Sequence, residues 1–220
     1  MDRQKNTILI KRQVESWGAS ACGIAEITPE IKKNWLLPAE INYLNFGIAI
    51  AYRLSRPVLE TITDGPNQLY YFHYQRVNIF LDNLSLRLVD WIQKNGFNAL
   101  PIPASQVIDW EKQLGAVSHR EIGYLAGLGF PGRNNLLVHP LWGSQFRLAT
   151  VLTDMPLVAD KPVEGNCGQC QKCISVCPAR AISLDTFNLA ACYKKLQEFK
   201  KSRNIGQLIC GVCLKVCSGK

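Results

Sequence analysis

Residues 167–178 read CGQCQKCISVCP, four cysteines and a closing proline within twelve residues. The spacing is C-x2-C-x2-C-x3-C-P, a run that holds a [4Fe–4S] cluster. A cubane needs four thiolates converging from different directions. Three cysteines separated by two residues wrap one corner of the cube on a tight loop. The fourth follows a longer gap and precedes a helix-stopping proline, so it points away. Where such a run serves two clusters, that fourth thiolate ligates the other one. A second set of cysteines is therefore expected, and the tail supplies it: Cys192, then CGVCLKVC with Cys210, Cys213 and Cys217. The spacing assigns Cys167, Cys170, Cys173 and Cys217 to one cluster, and Cys177, Cys192, Cys210 and Cys213 to the other. Disulfides would need an oxidising compartment. Zinc usually takes two C-x2-C pairs rather than this run. Cys217 is followed by Ser218, where ferredoxin repeats usually carry proline. The ninth cysteine, Cys22, lies in the apolar stretch ASACGIA and reads as a buried structural thiol.

The elements that must position these thiols fit a chain of 220 residues, 47% of them hydrophobic. That allows one well-packed domain over 1–160 and a small cysteine domain over 161–220. No run of 18 apolar residues is present, which predicts no membrane-spanning helix. The N-terminal MDRQKNTILIKRQVESWG is charged throughout and lacks a signal-peptide core. With eight cluster thiolates wanting a reducing compartment, the expected location is cytoplasmic. The net charge is +8, with ten Lys or Arg against three acids in residues 161–220. Each cluster with its thiolates carries about −2, which cancels roughly half of that excess. The basic residues then read first as a neutralising shell and second as a docking face for an acidic redox partner.

Hydrophobic periodicity predicts a helix over 4–17, ended by Gly18, and short buried strands at ACGIA and FGIAIAY. A long helix is predicted from Asn67 to Asn95, with Leu69, His73, Val77, Phe80, Leu84, Leu88 and Trp91 on its apolar face. FNALPIP reads as a strand broken by Pro101 and Pro103. SHRE is a capping box that opens a helix at Ser118. NLLVH and QFRLATVLT read as strands, the second with Phe146, Leu148, Thr150 and Leu152 on one face. DMPLVADKPVEGN reads as a linker. The class is α+β.

AGLGFPGRNNLLVHP joins the short helix to a strand. Gly127, Gly129 and Gly132 permit close approach of the backbone to a ligand, and Arg133, Asn134 and Asn135 add donors. The order helix–loop–strand is the reverse of the dinucleotide-binding fingerprint. The stretch LAGLGFPGRNNLLVHPLWGSQFRLATVLTDMPL, followed by CGQCQKCISVCPARAI and CGVCLKVC, resembles the epoxyqueuosine reductases and, more distantly, the cobalamin-dependent reductive dehalogenases. The resemblance covers about residues 118–217. It implies a nitroreductase-like α/β domain that cradles cobalamin, beside a two-cluster bacterial-ferredoxin-like domain that feeds electrons to cobalt. It places the glycine loop near the corrin, and Ser105 and His119 join it as candidate cofactor contacts. The family's catalytic aspartate falls, without gaps, at Gln113, with Asp109 and Glu111 out of register. His119 and Tyr124 stand in as candidate proton donors.

The expected function is an iron–sulfur oxidoreductase that passes electrons through two [4Fe–4S] clusters to cobalamin, for a small-molecule or corrinoid substrate. One alternative is an electron carrier that reduces a corrinoid or a partner protein. Another is a flavin-dependent iron–sulfur reductase. The relatives run well past their last cysteine with elements that help hold tRNA, whereas this sequence stops at Lys220, and the aspartate position is changed. Both features count against tRNA as a partner.

Overall fold

The structure, a computed structural model, describes residues 2–219. In chain order the elements are α1 (Arg3–Ser16), β1 (Ala21–Glu26), α2 (Pro29–Lys32), a 3-10 turn at Ala39–Ile41, β2 (Phe46–Arg53), α3 (Arg56–Glu60), α4 (Gln68–Lys94) and β3 (Ala99–Ile102). After them come α5 (His119–Leu125), β4 (Phe130–Pro131), β5 (Leu137–Val138), β6 (Phe146–Thr153), α6 (Lys172–Val176), α7 (Leu189–Ser202) and α8 (Val212–Val216). The chain divides into two compact units. One comprises Met1–Tyr52, Asn78–Gly129 and Arg147–Val163; the other comprises Arg53–Val77, Phe130–Phe146 and Glu164–Lys220. Among the described residues, no helix is long and apolar enough to cross a membrane.

The first unit is a four-stranded sheet in the order β1-β2-β6-β3, with helices packed on it. Asp2 caps α1 by accepting the Gln4 N–H, and Ile10 and Val14 on its inner face are fully buried. β1 runs antiparallel to β2, from Ala21 opposite Ala51 to Glu26 opposite Phe46. β3 tolerates Pro101 because it is an edge strand, where a missing ladder donor costs least. β6 is an inner strand, so Ala149, Val151 and Thr153 are buried as well as Thr150 and Leu152. The one-sided face expected from its alternation is therefore corrected. The stretch read as a linker is also packed: Met155 and Leu157 are buried, and Asp160 is tied to β1, its N–H donating to the Ile24 carbonyl and its carboxylate accepting the Ile24 N–H.

In the second unit, the cysteine-bearing tail does not make its own core. A stretch of some sixty residues buries too little apolar surface alone. Here Phe199 lies on Gly65, and Gly211 lies against Ile62 and Tyr70. The segment Arg53–Val77 thus completes the core that the tail lacks. That segment carries α3, with Pro57 in its first turn.

Helix α4 supplies residues to both units. Its buried stripe is Tyr70, Tyr74, Val77, Leu81, Leu84, Leu88 and Ile92, while Leu69 is 54% exposed. The expected stripe is turned by part of a step, because apolar residues occupy more than one face of this helix. His73 is half-buried on it and accepts the Ser55 N–H at 3.0 Å. Burial lowers the pKa of its ring.

Candidate iron–sulfur centres

Two five-residue helices carry or end on four of the cysteines. Cys173 lies in α6 and Cys177 is its C-cap; Cys213 lies in α8 and Cys217 is its C-cap. The two helices pack against each other. Each run therefore places cysteines on one short turn and then ends the helix on another. The cap N–H bonds back three residues, to Ile174 in one run and to Leu214 in the other. Non-helical φ/ψ at Cys177 and Cys217 turns each capping side chain off its own helix. Cys192 comes from the first turn of α7, which Asn188 caps by accepting the Ala191 N–H.

The thiols fall into two neighbourhoods. Burial raises Cys173, and the cysteines that add to the rise are, in falling order, Cys167, Cys217 and Cys170. Burial raises Cys192, with Cys177 next. Cys210 is pushed up to about 11 by burial, opposed by the Val212 N–H and reinforced by Cys192 and Cys177. Cys213 is raised furthest, by burial and then by Cys210, Cys177 and Cys192, with Cys173 last. Each set of four could hold one [4Fe–4S] cluster, in the pairing the spacing predicts. Thiols raised in this way hold their protons until a metal displaces them. Among the described residues no three His, Cys, Asp or Glu side chains form a single-ion site. The fit to clusters rests on the partition of neighbours. Cys22 stands apart on β1, buried, its thiol pushed up to about 12 mainly by burial.

The hairpin β4–β5 and the segment that follows it supply a polar shell around these cysteines. Arg133 donates to three carbonyls: Nε to Leu184 at 2.9 Å, Nη1 to Cys170 at 2.6 Å and Nη2 to Gly168 at 2.8 Å. A guanidinium can do this because its donors form a rigid planar fork. Gly143, at φ 57°, lies so close to the tail that a Cβ would stand 2.0 Å from the Cys217 carbonyl oxygen. Ser144 donates its N–H to that oxygen at 3.1 Å and its hydroxyl to Cys217 Sγ at 3.4 Å. Asn134 donates Nδ2 to Ser144 Oγ at 3.2 Å. Gln145 Nε2 donates to the Lys215 carbonyl at 2.6 Å. No motif marks the roles of Arg133, Ser144 and Gln145, because their partners lie 35 to 73 residues away along the chain.

The residues expected to meet a corrin are distributed otherwise. Ser105, His119, Gly127 and Gly129 belong to the first unit, and Gly132, Arg133, Asn134 and Asn135 to the second. A Cβ on Gly127 would meet the Lys161 carbonyl at 2.7 Å, and one on Gly132 would meet Val138 at 2.6 Å, so both glycines serve protein packing. Gly129 sits at φ 158°, close to extended backbone. Asn135 takes the left-handed turn of the hairpin at φ 59°. Arg133 and Asn134 have the partners given above, where donors to a ligand were expected. Ser105 is exposed.

His119 bridges Thr150 Oγ1 through Nδ1 and the Pro103 carbonyl through Nε2, both at 2.8 Å. A carbonyl only accepts, so Nε2 carries the proton and Nδ1 accepts from the hydroxyl. Burial is the main cause that lowers its pKa, to about 4. Both ring nitrogens are thus engaged within the protein. Tyr124 is half-buried on α5. Gln113, at the expected aspartate position, sits at φ 57° in a turn whose Asp109 carboxylate accepts the Glu111 and Lys112 N–H groups.

No protein-family model matches the chain. Among curated proteins, an epoxyqueuosine reductase of Bacillus cereus is 34% identical over 112 residues, covering 47% of this chain and 30% of that protein. One of Cyclobacterium marinum is 25% identical over 97% of this chain and 79% of its own length. The chain is related to the epoxyqueuosine reductases. Its alignment spans about a third of the length of the Bacillus cereus relative. Of solved structures, a catabolic reductive dehalogenase bound to 3-bromo-4-hydroxybenzoic acid superposes at a TM-score of 0.81, with 20% identity, over 98% of this chain and 32% of that one. An epoxyqueuosine reductase in complex with an epoxyqueuosine-modified tRNA-Tyr stem loop superposes at 0.66, with 20% identity, over 96% and 64%. The mixed α/β fold is thus shared with both kinds of reductase. The expectation against tRNA is corrected by that complex: an epoxyqueuosine reductase of this fold holds a tRNA stem loop.

Proposed function

We propose that the protein is an iron–sulfur oxidoreductase that moves single electrons through two [4Fe–4S] clusters. Cys167, Cys170, Cys173 and Cys217 ligate one, and Cys177, Cys192, Cys210 and Cys213 the other. The observation that carries this reading is that Cys173 has Cys167, Cys217 and Cys170 as its nearest thiol neighbours, whereas Cys213 has Cys210, Cys177 and Cys192 ahead of Cys173, so Cys177 and Cys217 are exchanged between the runs. The cysteine-bearing unit is read as a ferredoxin-like module enlarged by two stretches from earlier in the chain, and the sheet unit as nitroreductase-like. A reducing compartment such as the cytoplasm keeps the thiolates available.

Cobalamin is the electron acceptor that the relatives suggest, since one dehalogenase of this fold is described as B12-dependent. Arg133 and Asn134 in the loop from Gly127 to Asn135 are engaged within the protein, so cobalamin enters as an arm of the experiment. An anionic substrate is favoured by charge: the cysteine-bearing unit holds 13 Lys or Arg against 5 acids, the whole of the net +8. A tRNA stem loop is the first substrate to test, after the relative that binds one.

Anaerobically reconstituted protein should carry about eight irons and eight sulfides, about four of each per cluster. Cys22→Ser should leave that count unchanged. Four irons, or zinc in place of iron, sinks the two-cluster reading. Titration with cobalamin, followed by its absorption bands, tests the acceptor. Tight binding of a flavin instead would move the assignment to a flavoprotein reductase.

A further inference from the structure

Cys217 Sγ is faced by a buried hydroxyl whose proton has one place to go. Ser144 Oγ accepts Asn134 Nδ2–H at 3.2 Å and lies 3.4 Å from the sulfur. The amide is held in this orientation because Asn134 Oδ1 takes the Leu136 N–H at 3.3 Å. Asn134 is 4% exposed and Ser144 2%, so bulk water does not compete. A hydroxyl has a single proton, and with the amide donating to its oxygen, that proton is directed at the sulfur.

We propose that the Asn134–Ser144 relay sets the reduction potential of the cluster ligated through Cys217. The inference rests on the two-cluster reading above. Reduction adds one electron to the cluster and moves no proton; the hydroxyl proton stays on Ser144. The added charge spreads onto the sulfurs, so a donor aimed at one of them stabilises the reduced form more than the oxidised form. In a dry site this interaction is stronger than in water. Anchoring the tail does not require the hydroxyl, because the Ser144 N–H and the Gln145 side chain already hold the carbonyls of Cys217 and Lys215. The matching cysteine of the other run, Cys177, receives a backbone donor instead, the Ala181 N–H at 3.3 Å. Of these two corresponding positions, the one at Cys217 can be altered by side-chain substitution.

The test is an anaerobic redox titration of the fully loaded chain, with both midpoints read by EPR and iron counted in the same samples. Ser144→Ala should lower one midpoint and leave the other in place. At a fixed applied potential the reduced-to-oxidised ratio of that cluster should fall about threefold, or about 28 mV at 59 mV per tenfold for one electron. Ser144→Thr keeps the hydroxyl and should restore the wild-type value. Should Ser144→Ala not load iron, Asn134→Asp decides. It is isosteric, and its carboxylate takes the Ser144 proton away from sulfur, so the same single midpoint must fall. An unchanged midpoint in a loaded variant overturns the proposal. So does an equal fall of both midpoints, and so does failure of both variants to load, which would make the relay a structural tie. Wild type with fewer than about eight irons instead overturns the two-cluster reading, a distinguishable failure.

Discussion

His119 ties the stability of the fold to pH. Both ring nitrogens are bonded and its pKa is lowered to about 4, mainly by burial. A histidine whose folded pKa is depressed stabilises the fold fully above its unfolded value of about 6.5, and that contribution is lost as pH falls from there towards about 4. The difference amounts to about 3 kcal/mol. Chemical denaturation of wild type and His119→Phe at pH 7.5 and pH 4.5 should show wild type losing more stability than the variant across this interval. Parallel losses would mean that the ring is not held neutral. Loaded protein serves for both, so that cluster loss can be followed separately by absorbance.

At the scale of the elements, the hairpin β4–β5 and the segment to Gln145 behave as a clasp on the two cysteine runs. Arg133 holds the first run through the Gly168 and Cys170 carbonyls, and Gly143 with Ser144 seats the second at Cys217. Arg133→Lys keeps the charge but cannot span three carbonyls. Charge-assisted hydrogen bonds of this kind are worth about 1.5–3 kcal/mol when buried, and less here because the side chain is part-exposed. The variant should therefore lose iron to a chelator several-fold faster than wild type. Equal rates would remove the clasp role. Gly143→Ala is the harsher change, since its Cβ would collide with backbone and φ 57° disfavours a side chain. Its iron content should drop to about half or below, whereas Gly96→Ala, with open space around the same left-handed conformation, should load normally.

Over the whole molecule, charge is partitioned more sharply than the sequence halves suggest. Residues 1–160 carry fifteen basic side chains against fourteen acidic, yet the sheet unit as folded carries 12 against 12. All the excess therefore lies on the unit with the cysteines. Lys194, Lys200 and Lys201 are exposed on α7, the helix that also bears Cys192. Binding of a tRNA stem loop should weaken steeply with salt. Replacing these three lysines by alanine should flatten the slope of log K against log salt by about 0.7–0.9 for each phosphate that is no longer neutralised. Anisotropy titrations between about 50 and 200 mM salt measure this. A slope unchanged by the triple substitution would place the anionic partner elsewhere or remove it.

Local rules were enough for much of this protein. Cysteine spacing depends only on how few residues can wrap a cube, so C-x2-C-x2-C-x3-C-P and its counterpart were readable without a fold. Caps and periodicity likewise act within a turn or two, which is why α1, the Ser118 cap and the existence of α4 follow from neighbouring residues. The inner position of β6, the rotation of the α4 stripe, and the recruitment of Arg53–Val77 and Phe130–Phe146 into the cysteine unit depend on which surfaces meet. The polar loop residues illustrate the limit best. Arg133, Asn134 and His119 have the chemistry of ligand-binding groups, and sequence can identify that chemistry. Whether a donor reaches a ligand or a carbonyl of its own chain is decided by three-dimensional proximity, and here tertiary packing set Arg133 on Gly168, Cys170 and Leu184, and Asn134 on Ser144.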